Sequence, residues 1–203
     1  VIPRIVEAIQ YDVPRRRTSV GQNVRDAACY TCWALARAYA PDVLQPFVRK
    51  LNLSVISTFL FDREVNCRRA ASAAFQEMVG RQGAKNVPHG IAILTAADFY
   101  TLGNRKSSYI NIAPKIASFR EYRESIIDTL YVVKLAHWDI EIRDLSSKSL
   151  GQLTILDPEL VFRKVLPFVM EHCLDEQNMA ARHGCTMALA EIVASLEGIE
   201  RHC

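Results

Sequence analysis

The sequence holds no apolar run long enough to cross a bilayer, which takes about 20 consecutive residues in a helix, so no membrane insertion is expected. No cleavable apolar leader opens it: the chain starts VIPRIVEAIQYDVPRRR, without Met, as an internal part of a longer protein would. Glycine is sparse, at 8 of 203 residues, and the apolar–polar alternation of strands is nearly absent, which argues against a sheet. A glycine-rich phosphate loop, a Gly-x-Ser-x-Gly elbow and paired carboxylates on a catalytic framework are all missing. No catalytic residue and no cofactor is therefore expected. The net charge of +3 is too small to imply nucleic acid. Six cysteines make no disulfide framework: Cys29, Cys32, Cys67, Cys173, Cys185 and Cys203 sit mostly among alanines and aliphatics, as buried thiols of a reducing compartment do.

What is present is helical. Val24, Ala28, Cys32, Leu35 and Tyr39 recur at steps of three or four, as do Cys67, Ala71, Ala74 and Met78, the spacing of one helix face. The segments NVRDAACYTCWALA and NCRRAASAAFQEMV superpose, with Arg25 over Arg68, Ala28 over Ala71, Cys29 over Ser72 and Cys32 over Phe75. EIRDLSSKSLGQL repeats the pattern with Arg143, AARHGCTMALAEI with Arg182, and NRKSSYINIAPKI, by spacing alone, with Arg105. The arginines are 43, 37, 38 and 39 residues apart, and a period near 40 with two helices per unit marks HEAT or armadillo arrays. First helices are expected near Ile5–Tyr11, from Pro41, over His89–Leu102 and Glu121–Ala136, and from an Asp157 cap with Pro158 following. LQPFV and VLPFV echo one another, and kinks are expected at Pro46 and Pro167. VPRRRTSVGQ (Val13 to Gln22) and GRQGAKNVPHG (Gly80 to Gly90) read as exposed inter-helix loops. The expected fold is all-α: a right-handed α-solenoid of about five HEAT/armadillo-like helix pairs, forming one segment over 1–203.

Several residues carry possible chemistry. Cys29-x-x-Cys32 lies inside a helix rather than at its start, where a redox pair has its thiol pKa lowered, and core packing fits it better. His172, Cys173, His183 and Cys185 match no zinc-ligand spacing, so no metal is expected. Arg25, Arg68, Arg143 and Arg182 are expected to be structural, each bonding an acidic or carbonyl group of a neighbouring repeat, with Asp62, Asp139 and Asp175 as caps or partners. Arg69 and Lys106, next to them in register, are freer to meet a partner. Thr18 and Ser19 follow three arginines, a pattern open to a basic-directed kinase and equally to a plain solvated loop. The residues beside the repeated arginines form no base-reading code. Arginine outnumbers lysine 18 to 7, which suits carboxylates at a protein interface.

The runs NVRDAACYTCWALARAYAPDVLQPF, FDREVNCRRAASAAFQEMVGRQG, PHGIAILTAADFYTLGNR, HWDIEIRDLSSKSL and MAARHGCTMALAEI resemble the tubulin-specific chaperone D (tubulin-folding cofactor D) family, in order and from about Val20 onward. The resemblance implies a much longer, cytosolic, all-helical protein that captures β-tubulin after chaperonin release and joins α-tubulin held by cofactor E. It implies, with cofactor C, stimulation of tubulin GTP hydrolysis without catalysis by the chain itself. It also implies regulation by an ADP-ribosylation-factor-like small GTPase, and a place in the cytoplasm and on the microtubule cytoskeleton.

Exposure and charge, rather than the resemblance, nominate contact residues: Arg69, Arg105 and Lys106 on second helices, and Arg81, Lys85 and His89 in the second interruption. Two alternatives stay open. One is a HEAT-repeat adaptor of the nuclear-transport or phosphatase-scaffold type, built from the same repeats for another client. The other is a redox or metal protein using Cys29 and Cys32.

Overall fold

A computed structural model of the chain describes residues 1–16, 18–97 and 102–200, with the backbone alone at 199 and 200. The chain divides into two compact units, Val1–Ser108 and Tyr109–Cys203.

The first unit begins with α1 (Ile2–Ile9), which buries Ile5 and Ile9. A short hairpin follows, β1 (Val13–Arg15) with β2 (Thr18–Val20), pairing Val13 with Val20 and Arg15 with Thr18. The exposed loop expected at Val13 to Gln22 is thus partly a β-ribbon, because β-branched residues stand opposite one another across it. Arg17 lies outside the described residues, so the Arg15-to-Ser19 run is seen only in part. Gly21 then reverses the chain at φ 136°, and a Cβ there would stand 2.3 Å from the Tyr11 carbonyl oxygen.

Helices α2 (Gln22–Ala38), α3 (Pro41–Phe61), α4 (Val65–Asn86) and α5 (Gly90–Ala96) build the rest, with the single turn α6 (Arg105–Ser107) capped by Asn104. α2 packs along α4, α3 packs against α4, and α1 lies on both α2 and α3. The buried face of α2 is Arg25, Ala28, Cys29, Cys32 and Ala36. It is rotated from the expected one: Val24 is 43% and Tyr39 49% exposed, because small side chains let the two helices approach. On α4 the expected face is buried, and Phe75 joins it.

GRQGAKNVPHG is only in part the loop its glycines and polar residues suggest. α4 leaves helical geometry at Gly83 (φ 72°, ψ 171°), and a further short helical stretch reaches Asn86. Its polar residues clasp neighbouring backbone. The buried Gln82 amide donates to the carbonyls of Ala36 (3.2 Å) and Tyr39 (3.3 Å), and Asn86 donates to that of Pro41 (3.0 Å). The Gln82 bonds satisfy carbonyls at the end of α2 that the helix leaves open, and the Asn86 bond ties α4 to the first turn of α3. The first helix expected over His89–Leu102 is described as α5 alone, since 98–101 lie outside the described residues.

The second unit contains α7 (Ala113–Ala117), α8 (Arg120–Asp128), α9 (Ile140–Leu156), α10 (Pro158–Leu160), α11 (Leu166–His172) and α12 (Met179–Glu200). α9 packs along α12, α7 against α8 and α9, and α11 against α12. Wider π-helical turns occupy Ser108–Ile112, Thr129–Lys134 and Val161–Val165. The first and third end two residues before Pro114 and Pro167. A proline has no N–H and its ring crowds the preceding turn, and a π turn opens the backbone there. Pro46, by contrast, lies inside the continuous helix α3.

Asp157 caps α10 by accepting from the Leu160 N–H (3.1 Å) and also accepts from Arg123 (2.9 Å). The Arg123 hydrogen bond holds its carboxyl below the usual carboxylate range. With the arginine-bearing helices as second members, the order of elements is that of ARM/HEAT helix pairs. No helix among the described residues is long and apolar enough to cross a membrane.

Candidate protein-interaction site

The repeated arginines sort by what they touch. Arg25, 4% exposed, donates two bonds to the Asp62 carboxylate (2.7 and 3.2 Å), one to the Tyr11 carbonyl (2.9 Å) and one to Asp12 (3.2 Å). Burial works against its charge, but the hydrogen bond and charge of Asp62 outweigh it and hold the guanidinium above its ordinary pKa. Asp62 also accepts from the Glu64 N–H at the start of α4 (2.8 Å). Arg68, 2% exposed, donates to the carbonyls of Leu102 (2.8 Å), Asp62 (2.9 Å), Arg63 (3.0 Å) and Gly103 (3.1 Å). Arg143 reaches the carbonyls of His137 (2.6 Å) and Trp138 (3.0 Å) and Nδ1 of His183 (3.3 Å). Burial pushes its pKa down. Arg182, expected in the same role, is half-buried and reaches Met179 Sδ instead. Asp139 accepts from the Glu141 N–H at the start of α9, whereas Asp175 accepts from Gln177 and Asn178 in the loop before α12, and Asn178 takes the cap position by accepting from the Ala181 N–H (3.0 Å).

The cysteines are packed. Cys29 and Cys32 are fully buried, burial pushes the Cys32 thiol up to about 12 and raises Cys29 further, and Cys67 stands at about 12 for the same reason. A reactive pair needs the opposite, an exposed and stabilised thiolate. Cys203 lies outside the described residues. His172 stacks on Phe168 and bonds its carbonyl, His183 accepts from Arg143, and Cys185 is buried with its thiol pushed up to about 11. No group of three or more metal-ligating side chains among the described residues is placed to hold an ion.

The nominated contact residues all lie in the first unit, in two groups. Arg69 is half-buried, its guanidinium beside Gly103, near the turn that carries the half-buried Arg105 and the exposed Lys106. Arg81 and Lys85 are exposed on the last turns of α4, Arg81 bonded to Glu77 (2.9 Å), and His89 sits exposed at the start of α5 with φ 56°. Arg69 and Arg81 are twelve residues apart on one helix, roughly 18 Å at 1.5 Å per residue. The six therefore form two basic groups near the two ends of α4.

Between them the structure places residues that sequence reasoning missed. Tyr30, 67% exposed, stacks on Trp33 (5.5 Å between ring centres, 18° between planes), and the Arg37 guanidinium lies 4.7 Å over the Trp33 ring. Arg37 then meets Glu77 at 3.6 Å, which Arg81 also binds. The signal for this row was the spacing of Tyr30, Trp33 and Arg37 at steps of three and four along α2, on the flank beside the buried Cys29.

A family model described as tubulin-specific chaperone D-like, ARM repeats, matches residues 1–91. The chain is 41% identical over 198 residues to the tubulin-specific chaperone D of Dictyostelium discoideum, across 97% of its own length. The chain is similar, over nearly its whole length, to tubulin-specific chaperone D-like proteins. It is also 30% identical over 199 residues, 98% of its length, to the tubulin-folding cofactor D of Schizosaccharomyces pombe. It spans 13% and 18% of those two relatives. No solved structure matches it. Within the chaperone D-like family model fall α1 to α4, the hairpin, and the whole row from Tyr30 to Arg81.

Proposed function

We propose that this chain is a non-catalytic scaffold of the tubulin-folding machinery that binds β-tubulin as the α/β heterodimer is assembled. The observation that carries the reading is its identity, across nearly its full length, with proteins named for tubulin folding. The geometry is compatible with it: Arg68 and Arg143 are spent on internal carbonyls and Arg25 on Asp62, while Arg81, Lys85, His89 and Lys106 remain at the surface. A folding cofactor must hold a large surface and still release it, which favours many moderate contacts over a single deep pocket. As part of the same proposal, the protein acts in the cytoplasm and at the microtubule cytoskeleton with cofactors C and E. Together they stimulate GTP hydrolysis by tubulin, under an ADP-ribosylation-factor-like small GTPase.

The test is binding of purified β-tubulin by the full-length protein, wild type against Lys85→Glu/Lys106→Glu, with helicity followed by circular dichroism. Affinity is expected to fall about tenfold, since like charge then faces an acidic client. Unchanged affinity with intact helicity removes these two lysines from the contact, and absence of wild-type binding removes the reading.

A further inference from the structure

We propose that the exposed face of α2 and α4 is a docking site for an acidic protein chain, centred on Tyr30, Trp33 and Arg37. The face is built the wrong way round for folding alone. α2 turns alanines, cysteines and a paired arginine inward and leaves a tyrosine 67% exposed outside, although large aromatic area is what a core ordinarily takes.

The outer row is also held rigid without a core around it. Tyr30 stacks on Trp33, Arg37 covers the Trp33 ring, and Glu77 of α4 anchors both Arg37 and Arg81. Tyr, Trp and Arg are the residue types that concentrate binding energy at interfaces, and a row fixed in advance loses little freedom when a partner arrives.

Charge selects the occupant. The exposed or half-exposed charged groups of the two helices are Arg37, Arg69, Arg81 and Lys85 against Asp26 and Glu77. Two arginines share the one Glu77 carboxylate, so the row carries surplus positive charge beside aromatic surface. That suits a protein segment with a carboxylate next to an apolar or aromatic side chain. A nucleic acid fits less well, because its continuous phosphates would meet Glu77 at the centre and Asp26 at the flank.

The inference rests on the tubulin-binding reading for its probe. Full-length protein is titrated with purified β-tubulin, and separately with a single-stranded RNA oligonucleotide, for wild type, Tyr30→Ala/Trp33→Ala, Arg37→Gln and Trp33→Phe. The double variant is expected to lose about tenfold or more in affinity, Arg37→Gln to lose part of the salt dependence, and Trp33→Phe to stay close to wild type. Wild-type binding that the double variant and Arg37→Gln both retain overturns this site and leaves the tubulin reading standing. If the double variant melts early, Arg37→Gln decides, because its exposed side chain can be exchanged without touching the core. Tighter binding of the RNA than of tubulin overturns the choice of a protein occupant, and absence of wild-type tubulin binding overturns both readings.

Discussion

Arg25 and Asp62 show how a charge survives inside a helical array. Their side chains are only 5% and 6% exposed, and the guanidinium has Tyr11, Asp12 and both Asp62 oxygens around it. Replacing one partner is worse than replacing both, because a lone buried charge keeps its desolvation cost without its attraction. Asp62→Ala is therefore expected to destabilise the protein by about 3–5 kcal/mol, read as a lower melting or denaturation midpoint. Part of that loss belongs to the Glu64 N–H, which also loses its acceptor. Arg25→Met/Asp62→Ala is expected to recover most of the rest. A double variant no more stable than Asp62→Ala would mean that the pair contributes through its geometry rather than by cancelling charge.

At the scale of elements, close approach of helices is set by residues without a side chain. A Cβ on Gly184 of α12 would sit 1.9 Å from the Leu135 carbonyl oxygen, and one on Gly151 of α9 would meet Glu191 and Ser195 of α12 at 3.1 Å. Gly80 in α4 has nothing within 4 Å. Gly184→Ala is expected to lower the melting temperature by forcing α12 away from Leu135, at a cost of about 1–3 kcal/mol or more. Gly80→Ala is expected to raise it slightly, since alanine is favoured over glycine in a helix by up to about 1 kcal/mol. Equal effects of the two would contradict the packing of α12 described above. The same contrast explains what the sequence could reveal. The arginine period was legible because Arg68 and Arg143 bond loop carbonyls at the same place in their repeats, five and six residues before them. The helical stretches on either side of the break at Gly83 were not, because apolar periodicity is blind to polar side chains such as Gln82 that clasp backbone. The π turns before Pro114 and Pro167 were hidden for a related reason: proline forbids a regular turn without saying how the chain will yield. The row on α2 was hidden because Trp33 stands one turn from Cys29, so its spacing reads equally as the edge of the buried face.

For the whole molecule, the question under the tubulin-binding proposal is how a chain of net charge +3 would contribute to capturing an acidic client. Its 18 arginines are not all available: Arg25, Arg68 and Arg143 are committed to internal bonds, so the steering field comes from the exposed groups, Lys85 and Lys106 among them. Charges of that kind act mainly on the encounter, whereas desolvated aromatic contacts act on the lifetime of the complex. Raising ionic strength from about 0.1 M to 1 M shortens the screening length from about 10 Å to about 3 Å. If the tubulin-binding proposal holds, the association rate should fall about tenfold over that range while the dissociation rate changes much less. The rest of the full-length protein adds its own charge, so the informative quantity is the difference in salt slope between wild type and Lys85→Glu/Lys106→Glu, measured by surface-based kinetics. A shallower slope in the variant assigns part of the steering to this chain. Identical slopes would leave its contribution to the short-range contacts of Tyr30, Trp33 and Arg37, and would move the long-range attraction to other parts of the protein.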